Sequence, residues 1–137
     1  MAETHELTKN QALVLGVLSQ TEGPLSAYSL LDRLRGEGFR APLQVYRALD
    51  KLVEYGLVHR LESLNSFVAC AHPHDHAHRH EHGVIAFAIC EKCGQVNEFS
   101  DEVVEKRLKG WARQNAFKLA KTTIEMRGTC ASCLRPA

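Results

Sequence analysis

The sequence predicts an α+β protein built from two lobes, the first mainly helical and the second mixed. Residues 1–66 contain three segments with the apolar periodicity of helices, followed by two short runs of strand-forming residues. Residues 84–137 combine strand-like runs with one helical segment and two Cys-x-x-Cys motifs. Because the chain has only 137 residues, each lobe would have a small apolar core, and a bound metal or a second copy of the chain would help to stabilise it.

The first lobe has helix start and stop signals in the expected places. Thr8 and Ser26 are suited to cap the first two helices, and Pro42 stands near the first turn of the third, which ends at Gly56. The segment "LVHRLESLNSFVAC" then offers two short strands around a turn-rich centre. Three helices followed by a two-stranded ribbon is the order of elements in a winged helix-turn-helix.

The third predicted helix carries polar residues that would contact DNA. Gln44, Arg47 and Lys51 fall on one side of it. Such a side is usually only solvated, but this helix of a helix-turn-helix enters the major groove, where an arginine can donate two hydrogen bonds to guanine. Residues 1–66 contain seven Lys and Arg against eight Asp and Glu, a net charge of −1. The positive charge that binds DNA must therefore be local.

A histidine-rich segment separates the two lobes. Six histidines occupy every second position from His72 to His82, a biased composition that predicts a linker. We therefore expect a winged-helix DNA-binding domain over 1–70, a histidine-rich hinge over 71–83 and a second domain, which carries the two Cys-x-x-Cys motifs, over 84–137. In the last domain "VIAFAIC" predicts a buried strand, Ser100 would cap a helix over "DEVVEKRLKGWARQN", and "FKLAKTTIEMRG" predicts a strand.

The two Cys-x-x-Cys motifs are the strongest chemical signal in the sequence. Zinc is bound tetrahedrally by four thiolates at about 2.3 Å, and each motif can present two of them. Cys90, Cys93, Cys130 and Cys133 would fill all four positions, so the predicted site is structural and has no open position for catalysis. The alternative is four unconnected buried cysteines, but the spacing favours zinc.

A second metal site is predicted around the remaining cysteine. Histidines crowd the C-terminal side of Cys70, and His59 lies across the predicted hairpin. One thiolate with imidazoles and a carboxylate, which Glu98 would supply, suits zinc better than a hard metal. The alternatives are a small buried apolar role for Cys70 and a solvated Glu98. Because one ion cannot use all six tract histidines, we expect one or two to bind and His72 to His78 to be accessory.

Three stretches of the chain resemble a known family. "VYRALDKLVEYGLV" is similar to the DNA-recognition helix of the ferric uptake regulator family of metal-sensing repressors, and "ICEKCGQVNEF" and the terminal "CASC" are similar to its structural zinc motifs. The resemblance covers nearly the whole chain and is strongest to the zinc-responsive members. It implies a homodimer with an N-terminal winged helix and a C-terminal α/β dimerisation domain that carries the four-cysteine zinc site. It further implies that the zinc-loaded form binds AT-rich inverted repeats in double-stranded DNA and represses zinc-uptake genes.

The resemblance also implies a set of metal ligands. It implies about two zinc ions per chain, one structural, at the four motif cysteines, and one regulatory. The regulatory ligands would be His59, Cys70, Glu98 and a histidine of "HRHEHG", for which we prefer His82 and keep His80 as the alternative. No histidine follows His82, so the additional metal site that many members complete with a later histidine is incomplete here.

Contacts with DNA and between dimers are implied in the same way. Tyr28, Tyr46 and Arg47 match residues that the family uses on DNA. Asp32 and Arg35 match a pair that joins neighbouring dimers in some members.

The sequence argues against two other classes of protein. The longest apolar run, "VIAFAIC", is too short to span a bilayer, and the N-terminus lacks the features of a signal peptide, so we expect a cytoplasmic protein without a membrane partner. Neither H-E-x-x-H nor H-x-E…C-x-x-C occurs, so we expect neither an enzyme nor a small-molecule substrate. Two alternatives stay open: a histidine-rich zinc storage or delivery protein, and a family relative that senses iron, manganese, nickel or peroxide.

Overall fold

The structure, a computed structural model, describes residues 6–70 and 84–135. The chain divides into two compact units, Met1–Pro73 and His74–Ala137. We call the described part of each the first unit and the second unit. The domain boundaries predicted from the sequence stay a prediction, since the division falls among residues 71–83, which lie outside the described residues.

The first unit contains the three predicted helices, α1 (Lys9–Gln20), α2 (Ala27–Leu34) and α3 (Pro42–Glu54). The Thr8 hydroxyl accepts a hydrogen bond from the Gln11 N–H at 3.2 Å, and the Gln11 side chain accepts one from the Thr8 N–H at 3.1 Å. This reciprocal pair satisfies backbone donors that a helix N-terminus leaves without partners. Ser26 caps α2 by accepting from the Ser29 N–H, so both predicted caps are confirmed.

The core of the first unit is built from the inner sides of these helices. Among its fully buried apolar residues are several from α1, α2, α3 and the strand that follows: Val14, Leu30, Val45, Leu49, Leu52 and Val58. Since the apolar side of α3 is used in this core, its polar residues Arg47 and Lys51 lie on the exposed side.

A two-stranded antiparallel ribbon follows α3. It consists of β1 (Val58–Leu61) and β2 (Ser66–Ala69), and the turn between them holds Asn65 at a positive φ of 49°. Two backbone hydrogen bonds between Leu25 and Phe67, of 3.0 and 2.8 Å, tie the ribbon to the segment before α2. The first unit is therefore a winged helix-turn-helix, as predicted.

The second unit is a three-stranded sheet with a helix in its connection. Its elements are β3 (Val84–Cys90), β4 (Val96–Phe99), α4 (Glu102–Gln114), β5 (Thr122–Gly128) and α5 (Ala131–Leu134). The strand order is β4-β3-β5, with β3 antiparallel to β4 and parallel to β5. Because β3 is central, its residues are almost entirely buried, as the continuous apolar run predicted.

Two details of the second unit differ from the sequence prediction. Asp101 caps α4 in place of Ser100: its carboxylate accepts from the N–H groups of Val103 and Val104 at 2.9 and 3.1 Å. The predicted last strand begins only at Thr122, because the residues directly after α4 form a turn that closes its C-terminal end. In this turn Ala116 has a φ of 52°, and the Phe117 N–H donates to the Ala112 carbonyl at 2.7 Å.

The described helices are short. The longest, α3 and α4, have 13 residues each. Within residues 6–70 and 84–135, no helix combines the length and apolarity that crossing a bilayer requires.

Candidate metal centres and nucleic-acid interface

The four motif cysteines come together in the second unit. Their Sγ atoms all lie within 4.8 Å of one another, and the Cys93 and Cys130 sulfurs are 3.7 Å apart. A tetrahedral zinc ion with bonds of about 2.3 Å would separate its sulfur ligands by about 3.8 Å. None of these four cysteines forms a disulfide. The cluster therefore fits a zinc ion bound by four thiolates.

The parallel pairing of β3 with β5 brings the two motifs to the same edge of the sheet. Cys90 ends β3 opposite Gly128, two residues before Cys130. The turn after Cys90 closes with a hydrogen bond from the Gly94 N–H to the Cys90 carbonyl at 2.9 Å, and Gly94 has a φ of 80° that favours glycine. The short helix α5, which was not predicted from the sequence, then presents Cys133.

The thiols of the cluster differ in how readily they ionise. Backbone N–H groups of Cys93 and Cys130 donate to the Cys90 sulfur at 3.5 and 3.3 Å, and they lower the pKa of that thiol to about 6. Hydrogen bonds with the Cys130 and Cys90 sulfurs instead raise the pKa of Cys133 to about 12. The first thiol thus ionises readily, whereas the last stays protonated because of its hydrogen bonds with the neighbouring sulfurs. A divalent ion bound by all four sulfurs would favour the thiolate form of each, and it would have no open position for catalysis.

The first unit holds a second group of metal-binding side chains on its ribbon. His59 lies on β1 opposite Val68, and Cys70 follows β2 directly, with its N–H donating to the Leu57 carbonyl at 2.9 Å. Both residues are buried, and the Cys70 sulfur lies within 4.8 Å of an imidazole nitrogen of His59. Zinc accepts both atom types at bonds of about 2.0–2.3 Å, so this pair can bind one ion together.

The other predicted regulatory ligands are Glu98, His80 and His82. Glu98 belongs to the second unit, where it is half-buried on β4 opposite Phe87. His80 and His82 lie outside the described residues. The role of these three residues stays a prediction.

The exposed side of α3 contains the residues predicted to contact DNA, but their side chains are engaged to different degrees. Arg47 is exposed. The Lys51 ammonium lies 3.2 Å from the Glu54 carboxylate, which raises the pKa of Lys51. Gln44 supports the start of α3, because its side-chain oxygen accepts hydrogen bonds from the N–H groups of Arg40 and Ala41 at 2.6 and 3.0 Å.

The residues implied by the resemblance alone also differ in their exposure and in their contacts. Tyr28 on α2 is 63% exposed, whereas Tyr46 is half-buried and packs against the core. Asp32 and Arg35 pair with each other at 3.2 Å, and both side chains are largely exposed.

One exposed residue of α3 was not predicted from the sequence to be functional. Leu43, in the first turn of the helix, is 57% exposed although it is a leucine. The signal that could have identified it is its spacing of four residues from Arg47, which places both on one side of a helix.

Comparison with known proteins identifies the family. Residues 3–127 match the model of the Ferric uptake regulator family. The chain belongs to this family. It is 42% identical over 129 residues to the zinc uptake regulation protein of Escherichia coli (strain K12), covering 93% of this chain and 72% of that protein. The resemblance stated from the sequence is thereby confirmed.

Solved structures of family members have the same fold. A zinc uptake regulator complexed with zinc and DNA superposes with a TM-score of 0.85 at 41% identity, covering 94% of this chain and 83% of that one. The crystal structure of holo XcZur gives a TM-score of 0.83 at 40% identity, covering 96% and 88%. The predicted α+β class, with a winged helix followed by an α/β domain that carries a four-cysteine site, is confirmed.

Proposed function

We propose that this chain is a zinc-responsive transcriptional repressor of zinc-uptake genes, which binds AT-rich inverted-repeat operators as a zinc-loaded homodimer. The observation that carries the proposal is the buried pair formed by His59, on the ribbon of a winged helix-turn-helix, and Cys70, directly after it. A thiolate beside an imidazole favours zinc over harder metals. The similarity to proteins named as zinc uptake regulators, one of them complexed with zinc and DNA, supports the same function.

We further propose two zinc ions per chain with separate roles. The four-cysteine cluster would hold one ion, which when bound supplies a cross-link within the second unit. The regulatory ion would be held by His59, Cys70, Glu98 and a tract histidine, His82 or, alternatively, His80. The other tract histidines would be accessory, since an ion of this kind takes about four ligands.

The proposed regulation follows from the positions of the regulatory ligands along the chain. His59 belongs to the ribbon, Cys70 ends the first unit and Glu98 belongs to the second. Ligands drawn from both units would couple metal binding to the spacing of the two recognition helices in a dimer, which must match successive major grooves. By linkage, operator DNA must then tighten the binding of zinc by the same factor.

The proposed homodimer would form through the second unit. Val103 and Trp111 on α4 and Phe117 after it are 70%, 58% and 56% exposed. Aromatic and apolar side chains of this size stabilise protein interfaces when a partner covers them. Asp32 and Arg35 would connect neighbouring dimers on the operator, which requires that each residue exchange its present partner.

A gel shift on AT-rich inverted-repeat DNA across buffered free zinc tests the proposal. Wild-type protein should bind the operator more tightly as zinc rises. Cys70→Ser should still fold and keep the zinc of the cysteine cluster, but it should lose one zinc per chain and the zinc response, about 5- to 150-fold in affinity. Ala69→Ser is the matched control, since it adds a hydroxyl one residue away without removing a ligand, and it should respond as wild type.

The same assay separates the proposal from its alternatives. A normal zinc response in Cys70→Ser would remove this residue from the regulatory site. Stronger activation by iron, manganese or nickel at buffered concentrations would indicate a relative that senses another metal. Many weakly held zinc ions without any DNA binding would indicate storage or delivery by the histidine tract.

A further inference from the structure

We infer that Leu43 is a base-reading residue, whose exposed side chain contacts the 5-methyl group of a thymine in the major groove. The inference rests on the proposed DNA-binding function and deepens it, because it names what the first turn of the recognition helix reads. It concerns a residue of the first unit alone.

The position of Leu43 excludes a role in the core. The apolar side of α3 is already complete, since Val45, Leu49 and Leu52 are fully buried. Leu43 lies on the other side of the helix, one turn before Arg47, where it is 57% exposed. Single exposed leucines are common on protein surfaces, but in a helix-turn-helix it is the N-terminal residues of the recognition helix that contact base edges.

The charges along α3 favour contact with DNA through the N-terminal half of the helix. Beyond Arg47 the exposed residues include the acidic Asp50 and Glu54. Lys51, the remaining cation there, is paired with Glu54 at 3.2 Å. Since carboxylates are repelled by DNA phosphates, the C-terminal half of α3 contributes little free energy to the binding of a DNA duplex. Leu43 and Arg47 are therefore the exposed side chains best placed to reach the bases.

The chemistry of Leu43 then selects its ligand. Thymine is the base that presents a methyl group in the major groove, and apolar side chains read it by contact. Leucine cannot donate or accept a hydrogen bond from its side chain. The neighbouring Gln44 has its side-chain oxygen engaged by the Arg40 and Ala41 N–H groups. The first turn thus reads by apolar contact, and Arg47 reads by hydrogen bonds.

The test compares thymine with deoxyuridine, which lacks only the 5-methyl group. Zinc-loaded full-length protein first selects a duplex from a pool with a randomised central region, and each thymine of that duplex is then replaced singly. For wild type we expect one position in each half-site where deoxyuridine weakens binding about fourfold, the effect of one buried methyl-sized group. Leu43→Ala should bind the thymine duplex more weakly and be indifferent to deoxyuridine at that position.

Leu64→Ala is the matched control, because Leu64 is an exposed leucine in the β1–β2 turn of the same unit. It should keep the full deoxyuridine effect. The inference is overturned if Leu43→Ala keeps the wild-type penalty at every position, or if wild type shows no penalty at any thymine. In those cases DNA binding itself persists. Failure to select any duplex is a different result, which overturns the proposed function and this inference together.

Discussion

The two units of the chain differ in what holds them together. The first unit buries a continuous set of leucines and valines from three helices and a strand. In the second unit burial is concentrated on β3, while Val103, Trp111 and Phe117 remain largely exposed. The second unit instead gathers four cysteines at one edge of its sheet. A lobe of this size without a full core needs a metal or a partner, whereas its neighbour can rely on packing.

The two kinds of stabilisation suit different functions in the two units. A packed core fixes the geometry of α3, the helix that we propose presents Arg47 to DNA. We propose that the cysteine cluster and the exposed apolar surface of α4 make the stability of the second unit depend on zinc and on a second copy of the chain. Changes in one unit should therefore act through mechanisms that leave the other unit intact.

Loss of a cluster cysteine should have the largest effect. Cys130→Ser, or Cys93→Ser, should release the zinc of the cluster, unfold the second unit and yield monomers. Structural zinc binding contributes about 10–16 kcal/mol in zinc-finger peptides, comparable with the whole stability of a small domain. Zinc analysis and sizing chromatography measure the result. Ser132→Ala, between the cysteines, should be silent, and a dimeric Cys130→Ser protein with full zinc content would refute the structural assignment.

A cavity in the core of the first unit should destabilise that unit and leave the second unit unaffected. Leu49→Ala should lower the free energy of unfolding of the first unit by about 2–5 kcal/mol, because Leu49 is fully buried in its core. The zinc content of the cysteine cluster should not change. Leu43→Ala on the same helix is the control and should cost less than about 0.5 kcal/mol. Thermal unfolding followed together with zinc release distinguishes the units, and joint loss of both would contradict their independence.

The exposed side of α4 should matter for association. Trp111→Ala should raise the dimer dissociation constant by about 30-fold or more, as expected for a tryptophan at the centre of an interface. Analytical ultracentrifugation at several concentrations measures this change. Arg113→Ala, also exposed on α4, should have a much smaller effect. If the two variants dimerise equally well, the apolar side of α4 does not form the interface.

The smallest expected effect concerns the N-terminus of α4. Asp101→Ala should destabilise the second unit by about 1 kcal/mol, because the carboxylate accepts from two backbone N–H groups. Ser100→Ala should be nearly neutral. Chemical denaturation of the zinc-loaded protein compares the two. A larger effect at Ser100 would support the cap predicted from the sequence over the one in the structure.

Local signals in the sequence predicted most of the fold correctly. The caps at Thr8 and Ser26, the proline at the start of α3 and the apolar run of β3 depend on neighbours within a few residues, so the sequence contains the information directly. The choice between Ser100 and Asp101 could not be made, since both residues can cap a helix and stand side by side. The prediction that a strand begins at Phe117 was wrong because the chain turns at Ala116. In that turn the Phe117 N–H closes the C-terminal end of α4.

The sequence by itself determined which residues have metal-binding chemistry and which helix we propose to read DNA. Spacing within a motif is a local property, and so is the periodicity that separates the Arg47 side of α3 from its core side. Tertiary structure decided how the cysteines of two motifs separated by 36 residues come together, which is at one edge of a sheet through the parallel pairing of β3 and β5. It also decided that Gln44 is engaged in capping while Leu43 is exposed. Long-range pairing and the competition for each polar atom depend on the whole fold, and no short stretch of sequence contains them.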